Sequence, residues 1–300
     1  MIASVTEEET MTEPIVVGVD GSGRSLRALV WAAHSAALHH CQLKVVHVLP
    51  RYEYDVPFYP PGRFEEAAKR GTEIVAEAVA IAREAYPDLD VVSALPSGKA
   101  PAKVFLEEAE HAHAVVLGAK GEGGFGNLML GSVSLQVVGH AASPVIIVDH
   151  ITTGHRRVVV GADGSPHSTA ALDYAFQAAS LRKARLLVLH AWSMPCQPEP
   201  PVLIDPDPDE IAKKHQHELE EQISGLRNRY PEVEVTEELI RDAPIPALTR
   251  ASDRADLLVL GSRGRGGFHG LALGSVSHQL LHYSVCPIAI VRPRPEPTPA

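Results

Sequence analysis

Hydrophobic residues along the chain fall into two recurrent patterns, short β-branched runs and longer stretches with helical spacing. Residues 15–19, 43–48, 91–95, 114–117 and 145–148 are apolar runs without clean alternation of polar and apolar positions. A strand with one wet face alternates, so runs of this kind predict parallel strands buried on both faces. Between them, residues 25–39, 65–85, 102–110 and 133–141 have helical spacing and are rich in Ala, Leu, Glu or Lys. Strand and helix alternate, which predicts an α/β fold. Runs at 158–162, 186–190, 233–239, 256–260 and 288–291 repeat the order, giving five strands in each half.

The two halves also share a register. IVVGVDGS at residues 15–22 returns as VVVGADGS at 158–165, so Asp20 and Asp163 stand 143 residues apart. Gly118 and Gly261, Gly131 and Gly274, and Pro144 and Pro287 keep the same displacement. One offset held over such a length marks a tandem duplication. It predicts a first domain over residues 15–149, a linker at 150–156 within the polar ITTGHRR stretch, and a second domain over 157–293. Residues 1–14 and the Pro-rich tail beginning near 292–294 read as disordered. Two Pro-rich insertions, residues 51–63 and 193–209, have no apolar period and read as loops.

Composition narrows the functional classes. A chain of 300 residues, 45% hydrophobic and 21% charged, suits two ordinary domains. Its formal charge of −10, with no block of Lys and Arg, argues against nucleic acid or an anionic membrane as partner, although a local basic loop could hold a phosphate. Cys41, Cys196 and Cys286 lack the spacing of a zinc site or redox pair and read as reduced thiols of a cytoplasmic protein. The acidic N-terminus has no apolar stretch, and no run approaches the roughly 18 residues of a membrane helix, so neither export nor membrane insertion is expected. Among the sixteen histidines, the pairs His111 with His113 and His215 with His217 are spaced by two, which does not turn both rings to one ion on a helix. No metal ligand is assigned from the protein.

The sharpest motif follows the fourth strand of each half, LGAKGEGGFGNLMLGSVS and LGSRGRGGFHGLALGSVS. Both fit Gly, two residues, Gly, nine residues, Gly-Ser. Glycine accepts a tight turn and removes the Cβ that would hold a phosphate away from backbone amides. The Gly-Ser pair then opens a helix, whose unpaired amides and positive dipole end favour an anion, with Ser132 or Ser275 adding a hydroxyl. The alternative is a Gly-rich turn that merely links strand to helix, and the in-register second copy weakens it. Asp20 and Asp163 sit at the carboxyl end of the first strand of each half, where open α/β sheets place ligand groups. Each could accept hydrogen bonds from a base or ribose, or could simply organise the DGS turn and cap the next helix.

Other chemistries lack their context. Gly121, Gly123 and Gly126 satisfy a dinucleotide GxGxxG pattern, but the second copy has His269 in the last place and the pattern follows the wrong strand. GxxxxGK[ST], HIGH, SGGxDS and Gly-x-Ser-x-Gly sequences are absent. Efficient catalysis is not indicated, and a weak ATPase is the most the residues suggest.

Taken together, these residues resemble the universal stress protein family, its ATP-binding branch in particular, over nearly the whole chain twice. The resemblance implies doubly wound, Rossmann-like five-stranded parallel sheets in the order 3-2-1-4-5, which would bring Asp20 beside Gly118 and Asp163 beside Gly261. In ATP-binding relatives the glycine motif holds ribose and phosphates. It maps here to Gly118, Gly121, Gly131 and Ser132, and to Gly261, Gly264, Gly274 and Ser275. The implied adenine pockets use Asp20, Val48 and Leu117, then Asp163, Ala191 and Leu260. Gly18, Lys120, Gly123, Gly124, Val133 and Ser134 complete the first candidate site. Gly161, Ser262, Arg263, Arg265, Gly266, Gly267, Val276 and Ser277 complete the second. Ala191 departs from the usual Val and is expected to fill less of its pocket. Lys120 and Glu122 flank the first turn where Arg263 and Arg265 flank the second, so the second site is expected to bind ATP, with Mg²⁺, at least as tightly. The family also implies pairing through the fifth strands, here 145–148 and 288–291, as self-association of the two domains that leaves room for a homodimer. The implied role is regulatory, in stress response or growth control, through a protein partner the sequence does not name. Alternatives are a slow ATPase of the same fold and a nucleotide-free interaction scaffold.

Overall fold

The computed structural model describes residues 13–49, 63–121, 130–193, 207–266 and 272–293. The first half runs β1 (Ile15–Gly18), α1 (Gly23–His39), β2 (Leu43–Val46), α2 (Arg63–Ala85), β3 (Val91–Ala94), α3 (Pro101–Glu108), β4 (Ala114–Gly118), α4 (Ser132–His140) and β5 (Val145–Val148). The second repeats it as β6 (Arg157–Gly161), α5 (Pro166–Arg182), β7 (Arg185–Trp192), α6 (Pro208–Arg229), β8 (Val235–Arg241), α7 (Pro244–Ser252), β9 (Leu257–Gly261), α8 (Ser275–Tyr283) and β10 (Ile288–Val291).

The strands form one ten-stranded sheet in the order β3-β2-β1-β4-β5-β10-β9-β6-β7-β8. Each half is parallel in the expected order 3-2-1-4-5. The halves meet where β5 and β10 pair antiparallel, Ile147 opposite Ile288 and Val145 opposite Ile290. That pairing covers two strand edges that would otherwise present unpaired amides.

Alternate residues of each strand enter two apolar layers. Ile15 and Val17 join α1, α2, α5 and α6 on one face, while Val16 joins α3, α4, α7 and α8 on the other. Both layers run across the junction, so the halves share their cores. Near the seam, the Arg182 guanidinium lies 5.2 Å from the Trp31 ring centroid. Arg292 donates to the carbonyls of Val138, Gly139 and Ala272. The expectation of a disordered RPRPEPTPA tail therefore fails at its first residue; residues 294–300 lie outside the described part, as do residues 1–12.

Several boundaries differ from the sequence reading. β8 begins at Val235 rather than 233, because it pairs with β7 as far as Trp192 opposite Arg241, and Val233 closes the preceding turn instead. α2 and α6 begin inside the two insertions, at Arg63 and Pro208, the latter capped by the Asp207 side chain accepting from the Asp209 amide. The rest of the insertions, including Cys196, lies outside the described residues. α4 begins at Ser132 rather than 133, with Gly131 at the N-cap.

Candidate functional site

Each half has a cleft at the carboxyl ends of its strands, between the first and fourth, where the strand order reverses. This is where ligands bind in open α/β sheets. The turn after β1 is tightly organised. Asp20 Oδ1 accepts from the Ser22 amide at 3.0 Å, Ser22 Oγ accepts from the Ser25 amide at 3.2 Å, and the Asp20 amide donates to Ser25 Oγ at 3.2 Å. Asp163, Ser165 and Ser168 repeat all three bonds at 3.0, 3.1 and 3.1 Å. Serine, not aspartate, is the helix cap, which leaves the second carboxylate oxygen of each Asp directed at the glycine loop.

There the glycines are required by close approach. A Cβ on Gly121 would stand 2.4 Å from Asp20 Oδ2, and one on Gly264 the same 2.4 Å from Asp163 Oδ2. In the second half Oδ2 also accepts the Arg265 amide at 3.1 Å. Gly118 and Gly261 also pack on the first turn of α1 and α5, against Arg24 and His167, Gly261 the more tightly of the two.

Past the loop, the Gly131 amide donates to Ala119 O at 2.7 Å and the Gly274 amide to Ser262 O at 2.8 Å. Neither glycine supplies a side-chain cap, so the first amides of α4 and α8 have no intrahelical acceptor and face the cleft. Ser134 and Ser277 are buried and donate to Gly118 O and Gly261 O, fixing helix to strand. The apolar wall is set by two histidines. His47 Nδ1 donates to Val19 O and His190 Nδ1 to Ala162 O, both at 2.7 Å. A carbonyl only accepts, so each Nδ1 carries the proton. Burial, more than the neighbouring His215, holds His190 below its ordinary pKa and hence neutral.

The first cleft, about 440 Å³, is lined by Gly18, Asp20, Val48, Leu117, Gly118, Lys120, Gly121, Gly131, Ser132, Val133 and Ser134. The second, about 380 Å³, is lined by Gly161, Asp163, Ala191, Leu260, Gly261, Arg263, Gly264, Arg265, Gly266, Gly274, Ser275, Val276 and Ser277. Gly123, Gly124 and Gly267, with Glu122, lie outside the described residues. Ser262 is not in the cleft: it is fully buried, with Oγ 2.9 Å from His167 Nδ1. Arg265 reaches the cleft, but its guanidinium donates to Glu218 of α6 at 2.9 Å, which holds that carboxyl below its ordinary pKa. Arg263 keeps a buried Nε with no hydrogen-bond partner among the described residues. Despite the small Ala191 the second cleft is not the larger of the two, and Leu189 lines it as well.

Several lining residues escaped the sequence reading: Ser25 and Ser168, His47, Pro101 and Phe105 on α3, and Pro244 and Leu248 on α7. The 143-residue register carried the signal, because Ser25 with Ser168, Pro101 with Pro244, and Phe105 with Leu248 all stand at that displacement.

Fold and clefts together define a tandem α/β protein with two corresponding clefts at its switch points. The profile of the Universal stress protein family matches residues 11–149 and again 154–292. A universal stress protein of Mycobacterium tuberculosis is 38% identical over 291 residues, covering 93% of this chain and 96% of the relative. One from Mycolicibacterium smegmatis is 34% identical over 306 residues, covering 98% and 100%. The crystal structure of a universal stress protein from Archaeoglobus fulgidus aligns with a TM-score of 0.68 at 21% identity, over 93% of this chain and 96% of that one. The chain belongs to the universal stress protein family. Among the described residues, no helix is long and apolar enough to cross a membrane.

Proposed function

We propose that each half binds one ATP and that the protein works as a nucleotide-responsive regulator in stress response or growth control. One arrangement carries this reading: in both halves, free amides at a helix N-terminus and an aspartate carboxylate face each other across an apolar-walled cleft. The amides suit phosphates. The carboxylate, in a site walled by Val48 and Leu117 or Ala191 and Leu260, suits the hydrogen-bond donors of a ribose or base. Among the described residues no three His, Cys, Asp or Glu side chains gather to hold a metal, so Mg²⁺ would sit chiefly on phosphate oxygens and water, with Ser132 or Ser275 within the same cleft. Bound there, it would neutralise phosphate charge.

Arg263, with its unmet buried donor, supports binding in the second site at least as tight as in the first. The buried free thiols of Cys41 and Cys286 suit a cytoplasmic protein. A homodimer would need a surface other than β5 and β10, which pair with each other. The reading is tested by calorimetric titration with MgATP. Two sites per chain are expected, one in Gly121→Val and one in Gly264→Val, since either side chain displaces the neighbouring Asp carboxylate. A wild-type chain that takes up no nucleotide would refute it.

A further inference from the structure

The second half carries a pair of histidines that the nucleotide reading leaves unused. His278 and His282 stand at i and i+4 on α8, which puts both rings on one face of the helix, one turn apart. Their ring centroids are 5.2 Å apart with planes at 69°. With metal–nitrogen bonds of about 2.0–2.1 Å and a near-tetrahedral angle, two chelating imidazoles place their centroids about 5 Å apart, so the observed spacing needs little rearrangement. His278 is exposed and His282 half-buried, so both remain open to solvent.

The fold does not require this pair. At the same 143-residue register, α4 carries Leu135 and Gly139, which cannot bind a metal. Elsewhere Nδ1 of His47 and of His190 is tied to a backbone carbonyl, whereas no ring hydrogen bond is seen for His278 or His282 among the described residues.

We propose that His278 and His282 form a surface chelate for a borderline divalent transition metal, Cu²⁺, Ni²⁺ or Zn²⁺, with water completing the coordination. Imidazole suits these ions, and affinity should follow Cu²⁺ above Ni²⁺ and Zn²⁺. Two nitrogen ligands, joined by no Asp or Glu among the described residues, do not suit Mg²⁺ or Ca²⁺, which take oxygen. The site lies toward the far end of α8 from Gly274 and Ser275, and closing it would tie together the last turns of the helix that presents the second cleft.

The test uses the full-length, untagged chain, titrated with Cu²⁺, Ni²⁺ and Zn²⁺ separately by calorimetry, with Cu²⁺ electron paramagnetic resonance to count nitrogen ligands. The expected result is one strongest site per chain with two imidazole nitrogens on Cu²⁺. His278→Ala and His282→Ala should each weaken it at least about tenfold, because a chelate becomes a single ligand. His217→Ala, on another helix, should leave it unchanged. Since His278 is exposed, its variant tests the idea even if His282→Ala perturbs the helix. Strongest-site binding unchanged in His278→Ala, or a Cu²⁺ spectrum with one nitrogen, would overturn the proposal.

Discussion

The closest backbone approach in either cleft is at Gly261, and it sets a sharp contrast between two otherwise equivalent substitutions. An alanine Cβ there would stand 2.7 Å from both the carbonyl carbon and oxygen of His167 and 2.9 Å from its Cβ. At Gly118 the corresponding distances to Arg24 and Ser25 are 3.0 to 3.2 Å. Normal carbon contacts lie near 3.5 Å, so Gly261→Ala must part β9 from the first turn of α5 by roughly 0.8 Å against backbone atoms, a shift of the kind that costs about 1–3 kcal/mol. Gly118→Ala needs only roughly 0.5 Å and should cost less, about 1 kcal/mol. Urea denaturation followed by circular dichroism measures both, and Trp31 and Trp192, one in each half, report by fluorescence which half responds. The parting also carries Arg263 and Gly264 away from Asp163, so MgATP binding in the second site should fall at least tenfold, about 1.4 kcal/mol, with the first site spared. A Gly261→Ala protein as stable as Gly118→Ala, with its second site intact, would refute the steric argument.

Two further outcomes follow from the seam and the core. Burial first, then His113 and Arg182, lower the His39 pKa to about 4. The folded state therefore binds fewer protons than the unfolded one between about pH 6.5 and 4, and stability should fall as pH drops through that window. His39 is only partly buried, so the loss attributable to it is about 1–2 kcal/mol after allowance for solvent, and His39→Gln should flatten the pH dependence of the urea midpoint; an unchanged slope would count against it. Ile146 is fully buried opposite Ala289 at the β5–β10 junction, so Ile146→Ala should cost about 2–5 kcal/mol and destabilise both halves together. Loss confined to the first half would show the junction to be dispensable.

Much of this architecture could be read from residues alone because parallel strands buried on both faces leave an unmistakable mark. IVVG, AVVLG and VIIV have no polar positions to alternate with, and each became a fully or nearly fully buried strand. β8 was misplaced for the converse reason: VTEELIR is an edge strand that carries polar residues on both faces, Glu238 exposed and Glu237 largely buried in an ion pair with Arg227, and its limits come from pairing with β7 rather than from its own apolar content. The cleft was legible where chemistry depends on glycine, since Gly121 and Gly264 are dictated by an aspartate 2.4 Å from where a Cβ would stand. It was not legible where contacts are long-range. Nothing local to Ser262 says that its hydroxyl turns inward to His167, 95 residues away, and nothing local to Arg265 says that Glu218 holds it. Nor does anything local to His47 or His190 say that each ring donates to a strand-end carbonyl, of Val19 and of Ala162, 28 residues away.

If both clefts hold an adenine nucleotide, the purified protein should carry it. Freshly purified chain is denatured, the released small molecules are identified by chromatography and mass spectrometry, and moles per chain are counted. Adenine nucleotide is expected near two per chain in the wild type, near one in Gly121→Val and in Gly264→Val, and near none in the double variant. A protein that carries no nucleotide and takes none up when MgATP is added would contradict it.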